Sequence, residues 1–392
     1  MINMKKTIKI SIIILAVALY IKFEFFPTSK KDWETINQEA NKLYEAGKYD
    51  EAIILAQKAL KIAKKNPDSD FVDLSASFNN LAEYYREKGE FSKAESLYYQ
   101  AIEICQQTIG TNNPDYATCI NNFGLLYLDI GNYERAESFL KQALSIREKD
   151  SSTLSTDKVA TLNALGVIYT GQCKFDKAEK LYKRILSIIY GDENTYVASA
   201  LNCIGDFYYA KNDYSKAEKY YKQSLDMRKK LLGAEHLYVA SSLDSLAGLY
   251  ITQNKYDLAF PLCEQSMALI ARTTGTNSPA AIVCMENLAE IYRVQSNYAK
   301  AEQCINQVIE ISNKFYGTNY FNSVNYLNTL ANIYCDIGKY DQAEILYKKA
   351  ISICAKEYGT NNYSYMVCLT NLTDLYIQQK MQKRAEEIEG IN

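Results

Sequence analysis

Apolar residues along most of this chain return every three or four positions, the spacing of a helix with one buried face. Leu74, Phe78, Leu81 and Tyr85 make one such stripe, and it stops at Gly89. The same punctuation recurs at Gly47, Gly89, Gly131, Cys173, Asn212, Asn254, Ser296, Gly338 and Lys380, in steps of 42 residues except for the 39 from Cys173 to Asn212. An aromatic residue follows two positions on at Tyr49, Phe91, Tyr133, Phe175, Tyr214, Tyr256, Tyr298 and Tyr340. Alanine stands five positions on in every copy, at Ala52, Ala94, Ala136, Ala178, Ala217, Ala259, Ala301, Ala343 and Ala385.

This pattern predicts about nine helical hairpins spread over residues 31–392. In each, a first helix ends at a left-handed residue, a conformation natural to Gly and tolerated by Asn. The alanine then lets the two helices approach closely. Ser92 to Glu95, Asp176 to Glu179, Ser215 to Glu218 and Asp341 to Glu344 have the spacing of a capping box, which places the start of each second helix there. The three missing residues fall between Ile185 and Gly191, so a stacking irregularity is expected from Ile189 to Thr195. The last unit ends in a short polar tail with Glu386, Glu387 and Glu389, as a terminal cap requires.

The run Leu327-Asn328-Thr329-Leu330-Ala331-Asn332-Ile333-Tyr334 resembles the tetratricopeptide repeat, in the long variety of kinesin light chains and related bacterial proteins. So do the turn Gly338-Lys339-Tyr340-Asp341-Gln342-Ala343-Glu344 and the inter-repeat element Gly110-Thr111-Asn112-Asn113-Pro114. The resemblance covers the chain from about Trp33 onward. It implies an all-α fold, a right-handed superhelical solenoid of stacked antiparallel helix pairs, and a role in binding protein or peptide segments instead of catalysis. The heptad coiled coil of kinesin light chains has no counterpart before Trp33, so a motor-adaptor role is only an alternative. Peptide-sensing regulation and a purely structural role are others.

The resemblance also implies that first helices line a concave face, through positions 13, 10, 6, 3 and 2 before the turn residue. Ten before stand Asn37, Asn79, Asn121, Asn163, Asn202, Asp244, Glu286, Asn328 and Thr370. Asn is a poor helix former, so such a ladder calls for a reason. Its amide both donates and accepts, which suits the backbone of an extended peptide, and in the kinesin-light-chain-like family asparagines on this face contact bound peptide. The other reading is that they bond to neighbouring helices or face water. Acidic positions on the face are Glu34, Glu45, Glu83, Glu87, Asp129, Asp206, Asp244, Glu286, Glu290, Asp336 and Asp374, against Arg86 and Arg293. The expected ligand is therefore a basic or polar peptide, held by Asn37, Asn79, Asn121, Asn163, Asn202, Asp206, Asp244, Glu286, Glu290, Asn328 and Asp336.

Composition narrows the alternatives. With 44 basic and 46 acidic residues the net charge is −2, which argues against a nucleic-acid binder. His236 is the one histidine and lies in an inter-repeat loop where its counterparts vary, which marks a turn residue and not a catalytic one. No metal or cofactor motif is present in the sequence. Ten cysteines are scattered; Cys105 with Cys119, and Cys354 with Cys368, lie 14 apart at the same repeat positions, as disulfide staples or as small buried thiols.

Residues 1–30 differ from the rest. Lys5, Lys6 and Lys9 precede an apolar run from Ile10 to Ile21 broken by Ser11, with Lys22, Phe23, Phe25 and Phe26 beyond it. This reads as a membrane anchor that leaves the repeats on the non-cytosolic side. A cleaved signal at Ala16-Val17-Ala18 with a secreted product, or an interfacial helix with a cytoplasmic one, are the alternatives.

Overall fold

A computed structural model describes residues 30–65, 71–150, 154–317, 323–357 and 363–389. Among them are seventeen helices and no strand: α1 (Lys30–Glu45), α2 (Tyr49–Lys65), α3 (Phe71–Glu87), α4 (Phe91–Thr108), α5 (Pro114–Asp129), α6 (Tyr133–Lys149), α7 (Ser155–Gly171), α8 (Phe175–Ile188), α9 (Thr195–Ala210), α10 (Tyr214–Leu232), α11 (Leu237–Thr252), α12 (Tyr256–Thr273), α13 (Ala281–Val294), α14 (Tyr298–Tyr316), α15 (Ser323–Asp336), α16 (Tyr340–Glu357) and α17 (Tyr363–Glu389). Odd-numbered helices are the first helices of their hairpins and even-numbered ones the second. Adjacent helices pack in pairs as in a tetratricopeptide solenoid. The chain forms two compact units, residues 1–122 and 123–392.

The turn residues behave as their chemistry requires. Gly47, Gly89, Gly131 and Gly338 have φ of 73–78°, and Cys173, Asn212, Asn254 and Ser296 adopt the same left-handed conformation at 56–60°. At Gly89 the amide donates to the Arg86 carbonyl at 2.9 Å and the next amide, of Glu90, reaches back to Tyr85 at 2.8 Å. Asn212 and Asp213 repeat this with Tyr209 and Tyr208. Two otherwise orphaned carbonyls are thereby satisfied at each helix end. The alanines five positions past each turn, from Ala52 in α2 to Ala343 in α16, are all at 0% exposure.

Three expectations are corrected. Second helices begin at the aromatic residue, one position before the capping box, and the N-cap is the residue between turn and aromatic. Asn132, Asp213 and Asn297 cap with their side chains, accepting from Arg135, Lys216 and Lys300. Two glutamates assigned to the box, Glu218 and Glu344, instead tie repeat to repeat by accepting from Tyr250 and Tyr376, and Glu137 and Glu302 at the same repeat position accept likewise from Tyr169 and Tyr334, all at 2.8–2.9 Å. Second, no turn occurs near Lys380, because α17 continues through it to Glu389. Third, the membrane anchor and the placement of the repeats across a membrane are withdrawn. No described helix is long and apolar enough to cross a membrane. Residues 1–29 themselves lie outside the described residues.

The 39-residue step shortens a second helix. α8 stops at Ile188 after 14 residues, and Ile189 to Asn194 form a loop before α9.

Candidate binding surface on the first helices

Within each unit, first helices lie side by side and their polar residues meet across the seam. In the N-terminal unit, Asn80 donates to the Asn37 side-chain carbonyl at 3.1 Å, and Asn122 donates to that of Asn79 at 3.2 Å. Asn79 and Asn121 also donate to the neighbouring Asn80 and Asn122, and both are buried. In the C-terminal unit Asn163 donates to the Cys203 sulfur, Asn202 to Ser245, and Asn371 to Asn328, at 3.0–3.2 Å. Asp244 is 4% exposed, and its backbone carbonyl accepts from Asn287.

One rule covers these contacts: the residue ten before a turn meets the residue nine before the next turn. Of the two readings left open for the ladder, bonding between neighbouring helices is the arrangement observed. The partners at nine before, Asn80, Asn122, Asn287 and Asn371, went unnoticed in the sequence. Asn-Asn doublets at Asn79-Asn80 and Asn121-Asn122 were the available signal.

The acidic positions are treated differently from one another. Glu83 accepts from Tyr98 at 2.8 Å, from Tyr44 at 3.2 Å and from Arg86 at 2.8 Å. Burial opposes its charge, but the Arg86 guanidinium and these hydrogen bonds hold its carboxyl below the usual range. Arg86 also pairs with Glu87. Arg293 bridges Glu290 at 2.8 Å and Asp336 at 2.7 Å. Asp206 keeps an exposed edge yet is walled by protein. Desolvation lifts it to about 6 against the opposing bond from Tyr221 at 2.7 Å.

Asp244 and Glu286 carry no such cation. Burial lifts Asp244 to about 7, opposed only by hydrogen bonds from Ser266 and Cys284, and Glu286 to about 7. Oδ1 of Asp244, and the side-chain carbonyl oxygens of Asn163 and Asn202, are buried without a partner. Between α13, α15 and α17 the surface opens into a cavity of about 240 Å³, lined among others by Arg293, Asn332, Asp336, Asn371, Asp374 and Gln378.

The remaining singled-out residues have local roles. His236 caps α11, its Nδ1 accepting from the Tyr238 amide at 3.1 Å. All ten cysteines are free thiols here. Cys105 and Cys119 touch through sulfurs 3.9 Å apart, well beyond the roughly 2.05 Å of a bond. Cys354 and Cys368, at the same repeat positions, are both buried in one cluster. At two other junctions that position pair is a buried arginine and a hydroxyl, Arg147 with Thr161 and Arg228 with Ser242.

Paired helices closed by left-handed turns, stacked so that first helices share a polar seam, define an α-helical repeat protein. The chain belongs to the tetratricopeptide repeat family, which it matches over residues 34–106, 73–149, 157–230, 196–260, 238–314 and 322–389. Several solved structures are similar. NprR, a quorum sensor from B. thuringiensis in apo form, is 16% identical, with 86% of this chain and 92% of that one covered at a TM-score of 0.57. A Rap protein complexed with Competence and Sporulation Factor is 16% identical over 84% and 99%, at 0.56. BtubC (BKLC) from P. vanneervenii is 22% identical over 59% and 92%, at 0.43. None of the curated proteins matches the chain.

Proposed function

We propose that this chain is a protein-interaction scaffold that holds a basic or polar peptide segment against its first helices, centred on the α13–α15–α17 cavity. The observation that carries this reading is the composition of that cavity. Its amides at Asn332, Asn371 and Gln378 suit a peptide backbone, and its two carboxylates, Asp336 and Asp374, outnumber its one arginine. Asp374 is exposed, so a ligand cation can reach it without displacing packed protein. Glu290, Glu286 and Asp206 extend the acidic side chains along neighbouring first helices, while Asp244 is buried. Asn79 and Asn121 have a smaller part in this reading than the sequence suggested, since their amides serve the seam. The Rap protein of the same fold was solved with Competence and Sporulation Factor bound; at 16% identity that likeness carries the fold and leaves this chain's ligand to experiment.

The test is fluorescence anisotropy with Lys/Arg-rich, neutral and Glu/Asp-rich peptide sets at low and high salt. Basic peptides should bind best, weaken as salt rises, and lose affinity to the Asp336→Lys, Asp374→Lys double variant. A preference for acidic peptides overturns the reading.

A further inference from the structure

The shortened repeat opens a second surface, away from the polar seam. α8 has 14 residues where the other second helices have 17 to 19. At 1.5 Å per residue, roughly 5–7 Å of helix is missing beside α10. The chain crosses instead through the loop from Ile189 to Asn194, turned at Gly191 with φ of 83°. Asn194 ends the loop by capping α9, accepting from the Val197 amide at 3.0 Å.

What the missing turn would have covered is a groove of about 490 Å³ between the end of α8, the start of α9 and the last turns of α10. Its floor is apolar, from Leu186, Ile189, Val197, Leu201 and Met227. Tyr190 stands at the edge with 90% of its surface exposed, an aromatic side chain with no packing role of its own. The rim is acidic. Lys230 is taken up by Glu193, while Asp192 and Asp226 are exposed and have no ion pair among the described residues.

An apolar floor beside two unanswered carboxylates selects its occupant by chemistry. A large apolar side chain leaves water for the floor, and a cation beside it meets the rim, which repels an acidic segment. We propose that this groove docks a segment of a partner protein that inserts one Leu, Met or Phe onto the Leu201–Met227 floor and sets an adjacent Lys or Arg against Asp192 and Asp226. The site is separate from the first-helix cavity: it shares no residue with it and reads a side-chain pair instead of an extended backbone. One chain would thus hold two segments, each on its own surface.

Panning phage-displayed random dodecapeptides on the full-length protein, with depletion on the Asp226→Lys variant, tests this. The enriched peptides should share a Leu, Met or Phe next to Lys or Arg. As labelled synthetic peptides they should bind about ten-fold more weakly to Asp226→Lys. They should lose binding to Met227→Glu and bind Asp336→Lys as they bind the parent, which keeps this site distinct from the first-helix cavity. Asp226 is exposed, so its variant keeps the fold even if Met227→Glu does not. An acidic consensus, or peptides that Asp226→Lys does not weaken, overturns the proposal. So does self-association of the parent that Asp226→Lys abolishes, since the groove would then belong to a second copy of the chain.

Discussion

The seams of the two units solve the same problem to different degrees. In the N-terminal unit the Asn37 and Asn79 carbonyls each accept an amide from the next helix, and Glu83 is held by two tyrosines and an arginine. In the C-terminal unit the same positions hold Asn163 and Asn202 with buried carbonyl oxygens unpartnered, and Asp244 with an unpartnered Oδ1. Among the described residues, every buried side-chain polar atom lacking a partner belongs to the C-terminal unit. A satisfied seam is cohesive. An unsatisfied one is weaker and more responsive to protons and ligands.

The largest expected effect breaks that contrast with pH. Asp244 is lifted to about 7 by burial, above an ordinary value of 3.8. A carboxyl whose folded pKa is raised stabilises the fold below its unfolded pKa, and that contribution is lost as pH rises through about 7. The C-terminal unit should therefore be more stable at pH 5 than at pH 8, by about 3 kcal/mol from this group. Asp244→Asn should raise the melting temperature at pH 8 and flatten its pH dependence. Identical pH profiles of parent and variant, followed by circular dichroism, would refute the assignment. Glu286→Gln should act in the same direction and less strongly, because Glu286 is half-buried.

A second effect concerns the close approach of helices. A Cβ on Gly205 would sit 2.5 Å from the Tyr221 ring, which is itself tied to Asp206. Gly205→Ala should cost about 2 kcal/mol of stability by overpacking. At Gly248 the nearest atom would be 3.6 Å away, the Asn287 side-chain oxygen. Gly248→Ala should therefore gain about 0.5 kcal/mol, as Ala does over Gly inside a helix. Urea titration of the two variants reads both signs, and equal destabilisation would show that the spacing does not govern the result.

Much of this architecture was legible in the chain. Left-handed turns at Gly47 through Gly338 and the zero exposure of the alanines five residues later are local rules, fixed by Cβ sterics and side-chain size, and repetition multiplies the signal. Relations between helices were harder to read. The Glu95, Glu179, Glu218 and Glu344 pattern has the right spacing for a cap. Yet the turn needs only one residue before the second helix, so these glutamates fall inside it; Glu218 and Glu344 end up bound to Tyr250 and Tyr376 of the following first helix, and Glu179 to Lys211 just past the end of α9. Separations of 32 residues for the Tyr–Glu bonds and 43 for most Asn contacts were the clue. The continuation of α17 through Lys380 was missed because the closing signals are weaker there: Lys stands in the turn position and no aromatic follows two residues on.

The comparison of seams sharpens further with asparagine. Asn79→Ala removes a carbonyl that accepts from Asn122 and an amide that donates to Asn80, and it should cost about 1.5 kcal/mol. Asn163→Ala removes one contact to the Cys203 sulfur but also an oxygen that is buried without a partner, so the two terms offset and the change should stay within about 0.5 kcal/mol. Equal losses in chemical denaturation would mean that the seams are equivalent.

The smallest effect probes the bonds that join repeats outside the seam. Tyr250 donates to Glu218 at 2.9 Å, but Lys222 also reaches that carboxylate at 2.6 Å from an exposed position. Glu218 therefore stays charged and solvated when the hydroxyl goes, and Tyr250→Phe should cost only about 0.5 kcal/mol. Tyr221→Phe removes the bond to Asp206, which has no lysine or arginine ion pair among the described residues, and should cost more than Tyr250→Phe. It should also push Asp206 higher, since the Tyr221 hydrogen bond is the main influence holding that carboxyl down. A Tyr250 variant that proves the more damaging would place the cohesion of this array in its Tyr–Glu links instead of its seam.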